Sequence, residues 1–301
     1  MNSDWSYKLL PDDAYSDEMT VRLEDAYHEA DEASVSAQRT YRRILAALAA
    51  ASTAVAFTFL FYDAYGLLVG LVLCGLALVA EVVLSRRAKR LDCHRTFIEQ
   101  RVLAEALRVQ IMLRYAGSDL HVGDLLTWSQ LEETGWVRDR LEGLVGDAMP
   151  AERHGIRACW VEDQLNYHAK AIGRTERDVV RSERIVRVAM WASAALYVGL
   201  MVFEVFVGGS MDADVWRVAL KFLLGGASAA TVFIANYYDK VSLGRVYADH
   251  IKMERFFTRA LGELDSHGQT AAVLERIARE ELIENGNWYS YQLEGTPEIA
   301  L

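Results

Sequence analysis

Proline is almost missing from this chain: 3 in 301 residues, at Pro11, Pro150 and Pro297. None interrupts Ser85–Tyr115 or the stretch 239–264, so both can continue as helix. Cysteine is equally sparse. Cys74, Cys93 and Cys159 share no CxxC spacing, which argues against a disulfide framework and allows a reducing compartment. There is no P-loop, GxGxxG, HExxH or GxSxG, the 7 histidines are scattered, and the adjacent Cys93 and His94 fall on different helix faces. The expectation is therefore a protein that is not an enzyme and that holds no metal and no cofactor. A basic excess is missing as well. With 32 Lys and Arg against 42 Asp and Glu, the net charge of -10 argues against a nucleic-acid partner. The acidic start lacks a basic-then-apolar leader, so no cleaved targeting peptide is expected.

What is present is segregated. The chain is 52% hydrophobic and also 25% charged, a combination that requires blocks rather than an even mixture. Ile44–Phe61 carries no charge, and Gly66–Leu84 carries only Glu81. At about 1.5 Å per residue each gives roughly 27–29 Å of helix, enough for a hydrocarbon core of about 30 Å. Tyr62, Asp63, Ala64 and Tyr65 are the expected turn between them. Arg42 and Arg43 precede this pair, and Arg86, Arg87, Lys89 and Arg90 follow it, which places both of its ends on the cytoplasmic side.

The plan then repeats. Ile185–Val207 and Val218–Tyr238 form a second apolar pair, preceded by Arg174, Arg177, Arg181 and Arg184 and followed by Lys240, Arg245, Lys252 and Arg255. Both pairs have the same orientation, so the duplication is parallel, unlike the inverted repeats of many transporters. Five segments result: an acidic N-terminal tail and helix (1–40), a first hairpin with its stalk helix (41–117), a helical connector (118–150), a second helix-hairpin-stalk unit (151–265), and a C-terminal helix with an aromatic tail (266–301). Gly117 suits a helix C-cap, and a break is expected near Ser266–Gln269. Trp288, Tyr289 and Tyr291 either dock on the helical bundle or lie against lipid headgroups. The predicted fold class is an all-α membrane protein with two transmembrane helical hairpins, hence four spans, whose long helices continue into a cytoplasmic helical bundle.

Polar residues inside the apolar runs are the candidate sites, because intramembrane charge is costly and turns toward protein or water. Glu204 and Lys221 lie at matching distances from the loop 208–217; they either pair with each other or snorkel separately to the interface. Glu81 is either neutralised by Arg86 and Arg87 or contributes to a ring of carboxylates at the inner mouth of an oligomeric pore. Lys221, Gly225, Ser228 and Asn236 share a sector of roughly 100° on the fourth span, with Thr231 at its edge. That sector either lines water or, through Gly225–Ala230, packs closely on another helix, and packing is the favoured reading. On the first stalk, Arg101, Glu105 and Arg108 form a charged stripe flanked by apolar residues. It reads as a helix–helix network bridged by Glu105, with binding of an anionic regulator as the alternative.

The R-x3-E-x2-R core (Arg101, Glu105, Arg108, within FIEQRVLAEALR) after two spans resembles SLATT domains. WVEDQLNYHAKA (Trp160–Ala171) before a second hairpin and ELIENGNW (Glu281–Trp288) are similar to the related DUF4231 arrangement of two such units in tandem. The resemblance covers about residues 35–290. It implies an oligomeric membrane effector that forms or gates an ion-conducting pore in bacterial antiviral defence or stress-induced growth arrest. It also implies the lipid bilayer of the plasma (inner) membrane as environment, with both termini cytoplasmic. The implied partners are further copies of the chain and, since no fused sensor domain is visible, a separate sensor protein or a nucleotide second messenger. The alternatives are a membrane-anchored helical scaffold for cytoplasmic partners and a transporter.

Overall fold

The computed structural model describes residues 7–126, 128–144, 155–207 and 213–294, and no strand occurs among them. In chain order the helices are α1 (Glu18–Tyr65), α2 (Leu68–Leu91), α3 (Cys93–Tyr115), the single turn α4 (Val122–Leu125), α5 (Trp128–Leu141), α6 (Asp163–Phe206), α7 (Ala213–Val241), α8 (Leu243–His267) and α9 (Ala271–Glu294). A 3-10 turn at Asp12–Ser16 precedes α1, and a π-helical turn at Arg157–Glu162 leads into α6.

Four stretches, in α1, α2, α6 and α7, are long and apolar enough to cross a membrane. In each, at most 17% of the most apolar segment is buried within the chain. Contiguous apolar surface of that extent is not what a water-soluble monomer presents.

Helix ends follow local chemistry. Asp17 caps α1 by accepting the Thr20 amide at 2.7 Å. The expected turn at Tyr62–Tyr65 is instead the last helical turn of α1, and the chain reverses at Gly66 and Leu67. Gly66 has φ +65, a conformation glycine adopts without a Cβ penalty. Gly117, at φ +68, ends α3 as expected, with Ser118 N–H donating to Leu113 C=O at 3.0 Å. Gly268, also at φ +68, makes the break before α9.

Each expected stalk follows its apolar segment after an interruption of one residue. Helix α2 stops at Leu91, Asp92 takes φ +42, and α3 restarts at Cys93. Past the apolar segment of α7, Ser242 takes φ +52 between α7 and α8. Ser85–Tyr115 contains neither Gly nor Pro, so absence of those residues did not guarantee an unbroken helix there, whereas Ser242 lies two residues before Gly244. Aspartate is among the few residues that enter the left-handed region readily. Helices α1 and α6, in contrast, run unbroken into their apolar segments.

The helices form two compact units, each assembled from separate parts of the sequence. One comprises the described parts of 1–39, 93–172 and 249–298; the other comprises 40–92 and the described parts of 173–248.

The first unit has a conventional core. Helix α3 is its centre, with Val102, Leu107, Val109, Ile111, Met112 and Leu113 all buried, and α9 lies against it. Helix α9 presents Leu274, Ile277, Ala278 and Leu282 at three- and four-residue spacing, the mark of a face laid on a partner. Leu23 and Tyr27 of α1 and Phe257 and Leu264 of α8 close the same cluster. The C-terminal aromatics dock here: Trp288 meets the Phe97 ring edge-on at 5.7 Å, and Tyr289 is buried.

In the second unit α1 packs on α2 in antiparallel register. Ser52 meets Glu81, Cys74 meets the Val55 carbonyl, and Gly70 sits against Phe61 and the Tyr62 backbone. Helix α7 approaches α1 through its glycines. A Cβ on Gly226 would lie 2.4 Å from the Phe57 ring, and one on Gly225 would lie 2.9 Å from Leu60. Phe222 completes the contact, edge-on to Phe57 at 5.7 Å and to Phe61 at 6.1 Å. The close-packing role of Gly225 and Gly226 is thus realised within one chain. Gly226→Ala drives a methyl into a ring already held by Phe222 and is expected to cost about 1–3 kcal/mol, as overpacking does. Thermal unfolding of the detergent-solubilised full chain measures it, and a variant as stable as the parent would contradict this contact.

Candidate functional site

Two groups of polar residues stand out, one in each unit. In the first unit, α3 places Arg101, Glu105 and Arg108 on one stripe at helical spacing. The carboxylate of Glu105 pairs with Arg101 through one oxygen. Its other oxygen accepts Nε and Nη2 of Arg108 at 2.9 and 2.6 Å. The bridge expected from the sequence is therefore present.

The structure adds partners from other helices. Arg101 reaches Asp31 of α1 at 3.3 Å. Arg108 pairs with Glu281 of α9, and Glu281 in turn accepts the indole N–H of Trp160 at 2.9 Å. Trp160 sits in the π-helical turn, where the extra residue per turn aims it inward. Exposure is 4% for Arg108, 3% for Glu281 and 0% for Trp160, so this is an interior network. Asn285 of α9 fastens it further by donating to the Val102 carbonyl at 3.1 Å.

The electrostatics follow from that burial. Removal from water pushes Glu105 upward, but Arg101 and Arg108 outweigh it and hold the carboxyl near 2. Glu281 goes the other way: burial raises it, and Arg108 and the Trp160 hydrogen bond only partly offset the rise. Nearby, His168 and His250 face each other, Nδ1 to Nδ1 at 3.0 Å, with the His168 ring stacked on Phe257. Burial, then the neighbouring His250, lowers His168 to about 3, so it is neutral at ordinary pH. Each guanidinium of the stripe already faces carboxylates. That geometry fits the network reading of Arg101, Glu105 and Arg108 and leaves little positive charge to offer an anionic regulator.

The three short segments 101–108, 160–171 and 281–288 thus converge on one buried cluster. No family model, curated protein or solved structure matches this chain. The functional reading accordingly rests on its own geometry.

In the second unit the polar positions of the apolar segments separate into two kinds. Some are satisfied inside the chain. Glu81 accepts the Ser52 hydroxyl at 2.6 Å across the α1–α2 contact, a partner not evident from sequence. Glu204 accepts Nε of Arg217 at 2.7 Å. The partner of Glu204 is therefore Arg217, not Lys221, because Arg217 sits one helical turn nearer the loop and also meets Asp214. Thr231 faces α6, with its hydroxyl 3.2 Å from that of Ser193.

The others are open. Lys221, Ser228 and Asn236 are exposed and fall on one side of α7. Among the described residues Lys221 makes no ion pair. The loop residues 208–212 lie outside the described residues.

Proposed function

We propose that this chain is an integral membrane protein of the plasma (inner) membrane, with two transmembrane hairpins and cytoplasmic termini. Copies of the chain assemble so that their spans form or gate an ion-conducting path. One observation carries the reading: α7, an apolar segment of membrane-crossing length, leaves Lys221, Ser228 and Asn236 exposed on one side, although Gly225 within that sector packs on Leu60 of α1. A lysine and an asparagine are costly against lipid and are tolerated where they face water or protein. A further copy of the chain supplies both, by closing a water-filled path around that face. The tight approach of Gly226 to Phe57 of α1, to one side of these residues, holds α7 in place.

The role itself, an effector of bacterial antiviral defence or growth arrest in the manner of SLATT proteins, is supported by the convergence of the motif residues Arg108, Trp160 and Glu281 on one cluster. A separate sensor protein or a nucleotide second messenger would supply the trigger.

The test is single-channel recording and dye influx with the full chain in liposomes, on samples whose oligomer mass has been measured. The parent conducts, and Lys221→Glu reverses its preference between cations and anions, since a ring of charge selects by sign. An oligomer that stays silent in liposomes, although its expression arrests cells, would overturn the proposal.

A second reading, a membrane-anchored scaffold, is favoured by the independent core of the first unit around α3. Exchange of both hairpins for unrelated spans separates the two. A scaffold retains its effect on cells after the exchange, and a pore loses it.

A further inference from the structure

Helix α6 carries Arg174, Arg177, Arg181 and Arg184 just before its apolar segment, and all four are exposed. At about 100° per residue they fall within roughly 80° of one another on a single face. Three of them, Arg177, Arg181 and Arg184, line an open groove together with Val180 and Glu176. Among the described residues Arg174, Arg181 and Arg184 make no ion pair, and Arg177 donates only to the Gly173 carbonyl. In the first unit the buried and half-buried Arg101, Arg108 and Arg114 are matched to carboxylates, whereas these four face outward beside an apolar segment.

The same face continues past the arginines as exposed apolar surface. Val188, Trp191, Val198, Val202 and Phe206 follow in line with Arg177 and Arg184, and Trp191 is 65% exposed. The opposite face is the packed one, where Ser182 is buried and Ser193 meets Thr231. A single stripe therefore passes from guanidinium groups through a tryptophan to aliphatic side chains. Its first part matches phosphate, which arginine binds bidentately, and its second matches acyl chains.

We infer that this stripe is a binding site for an anionic phospholipid, with the headgroup phosphate in the Arg177–Arg181–Arg184 groove and the acyl chains along Val188, Trp191 and Val198. The inference rests on the membrane reading above but not on conduction.

The test uses the full chain in nanodiscs of equal phosphatidylcholine and phosphatidylglycerol, with the retained lipid counted by native mass spectrometry. Phosphatidylglycerol is expected to be enriched about fivefold for each arginine engaged. R177Q/R181Q/R184Q is expected to lose most of the enrichment, with a remainder from the other basic flanks, whereas R177K/R181K/R184K keeps most of it and shows that charge, not folding, is read. A parent at parity, or a glutamine variant as enriched as the parent, overturns the site. Inorganic phosphate that displaces the lipid completely would assign the groove to a free anion and overturn it too. A chain that alkaline carbonate extracts from membranes would instead remove the membrane reading itself, an outcome distinct from an integral chain at parity.

Discussion

Glu281→Ala is expected to destabilise the first unit by about 3–5 kcal/mol, the usual cost of removing one member of a buried ion pair. Arg108 is almost fully enclosed, and its Nη1 already lacks a hydrogen-bond partner among the described residues. Loss of Glu281 leaves that cation with Glu105 alone, which Arg101 shares. It also orphans the buried indole N–H of Trp160, a further penalty of about 1–3 kcal/mol. Glu281→Gln keeps an oxygen for Trp160 and is expected to cost less. The upward push on the Glu281 carboxyl shows that enclosure of its charge is itself expensive. It follows that Arg108→Met combined with Glu281→Gln costs much less than the two single changes added together. Urea unfolding of the full chain in detergent, with hydrogen exchange read over α3 and α9, provides the measurement. Single variants within about 0.5 kcal/mol of the parent, the range of an ordinary surface change, would mean that the cluster is not closed as described.

How far the sequence disclosed this arrangement can be seen residue by residue. The apolar runs, the Gly117 and Gly268 stops and the Arg101–Glu105–Arg108 stripe are local properties, set by length, glycine conformation and helical spacing, and each was legible. Partners across helices were not. Arg217 rather than Lys221 meets Glu204 because the geometry beside a loop, and not matching distance from it, decides reach. Ser52 is an unremarkable serine until α2 brings Glu81 to it. Glu281 and Asp31 lie 173 and 70 residues from their arginines, so no spacing rule links them. The break at Asp92 has no glycine or proline near it, and the one at Ser242 falls two residues before Gly244 rather than on it. Even so, the segments around Trp160 and Glu281 had a signal: a tryptophan and a carboxylate beside apolar helical positions, each in need of a partner once buried.

Acid is expected to destabilise the first unit in two separable steps. His168 has its folded-state value depressed from 6.5 to about 3, so the folded form disfavours the proton that the unfolded chain accepts. Its contribution is complete above pH 6.5 and declines steadily as the pH falls toward 3. The groups facing it are His250, Glu105, Arg108 and Arg101; of these only Glu105 favours its protonation, and burial dominates. Glu105, depressed from 4.5 to about 2, contributes fully above pH 4.5 and is lost between there and 2. Between pH 6.5 and 4.5 the slope therefore contains His168 without Glu105. The shift of His168 amounts to on the order of 5 kcal/mol over its whole range. His168→Phe keeps the stack on Phe257 and removes the titration, so the decline from pH 6.5 to 5 should be lost, and the raised Glu281 carboxyl, which favours the folded form as it protonates, tilts the variant the other way. Unfolding midpoints of both proteins across that interval decide the matter. An identical slope in the two would assign the acid sensitivity to another group and would place His168 in contact with water.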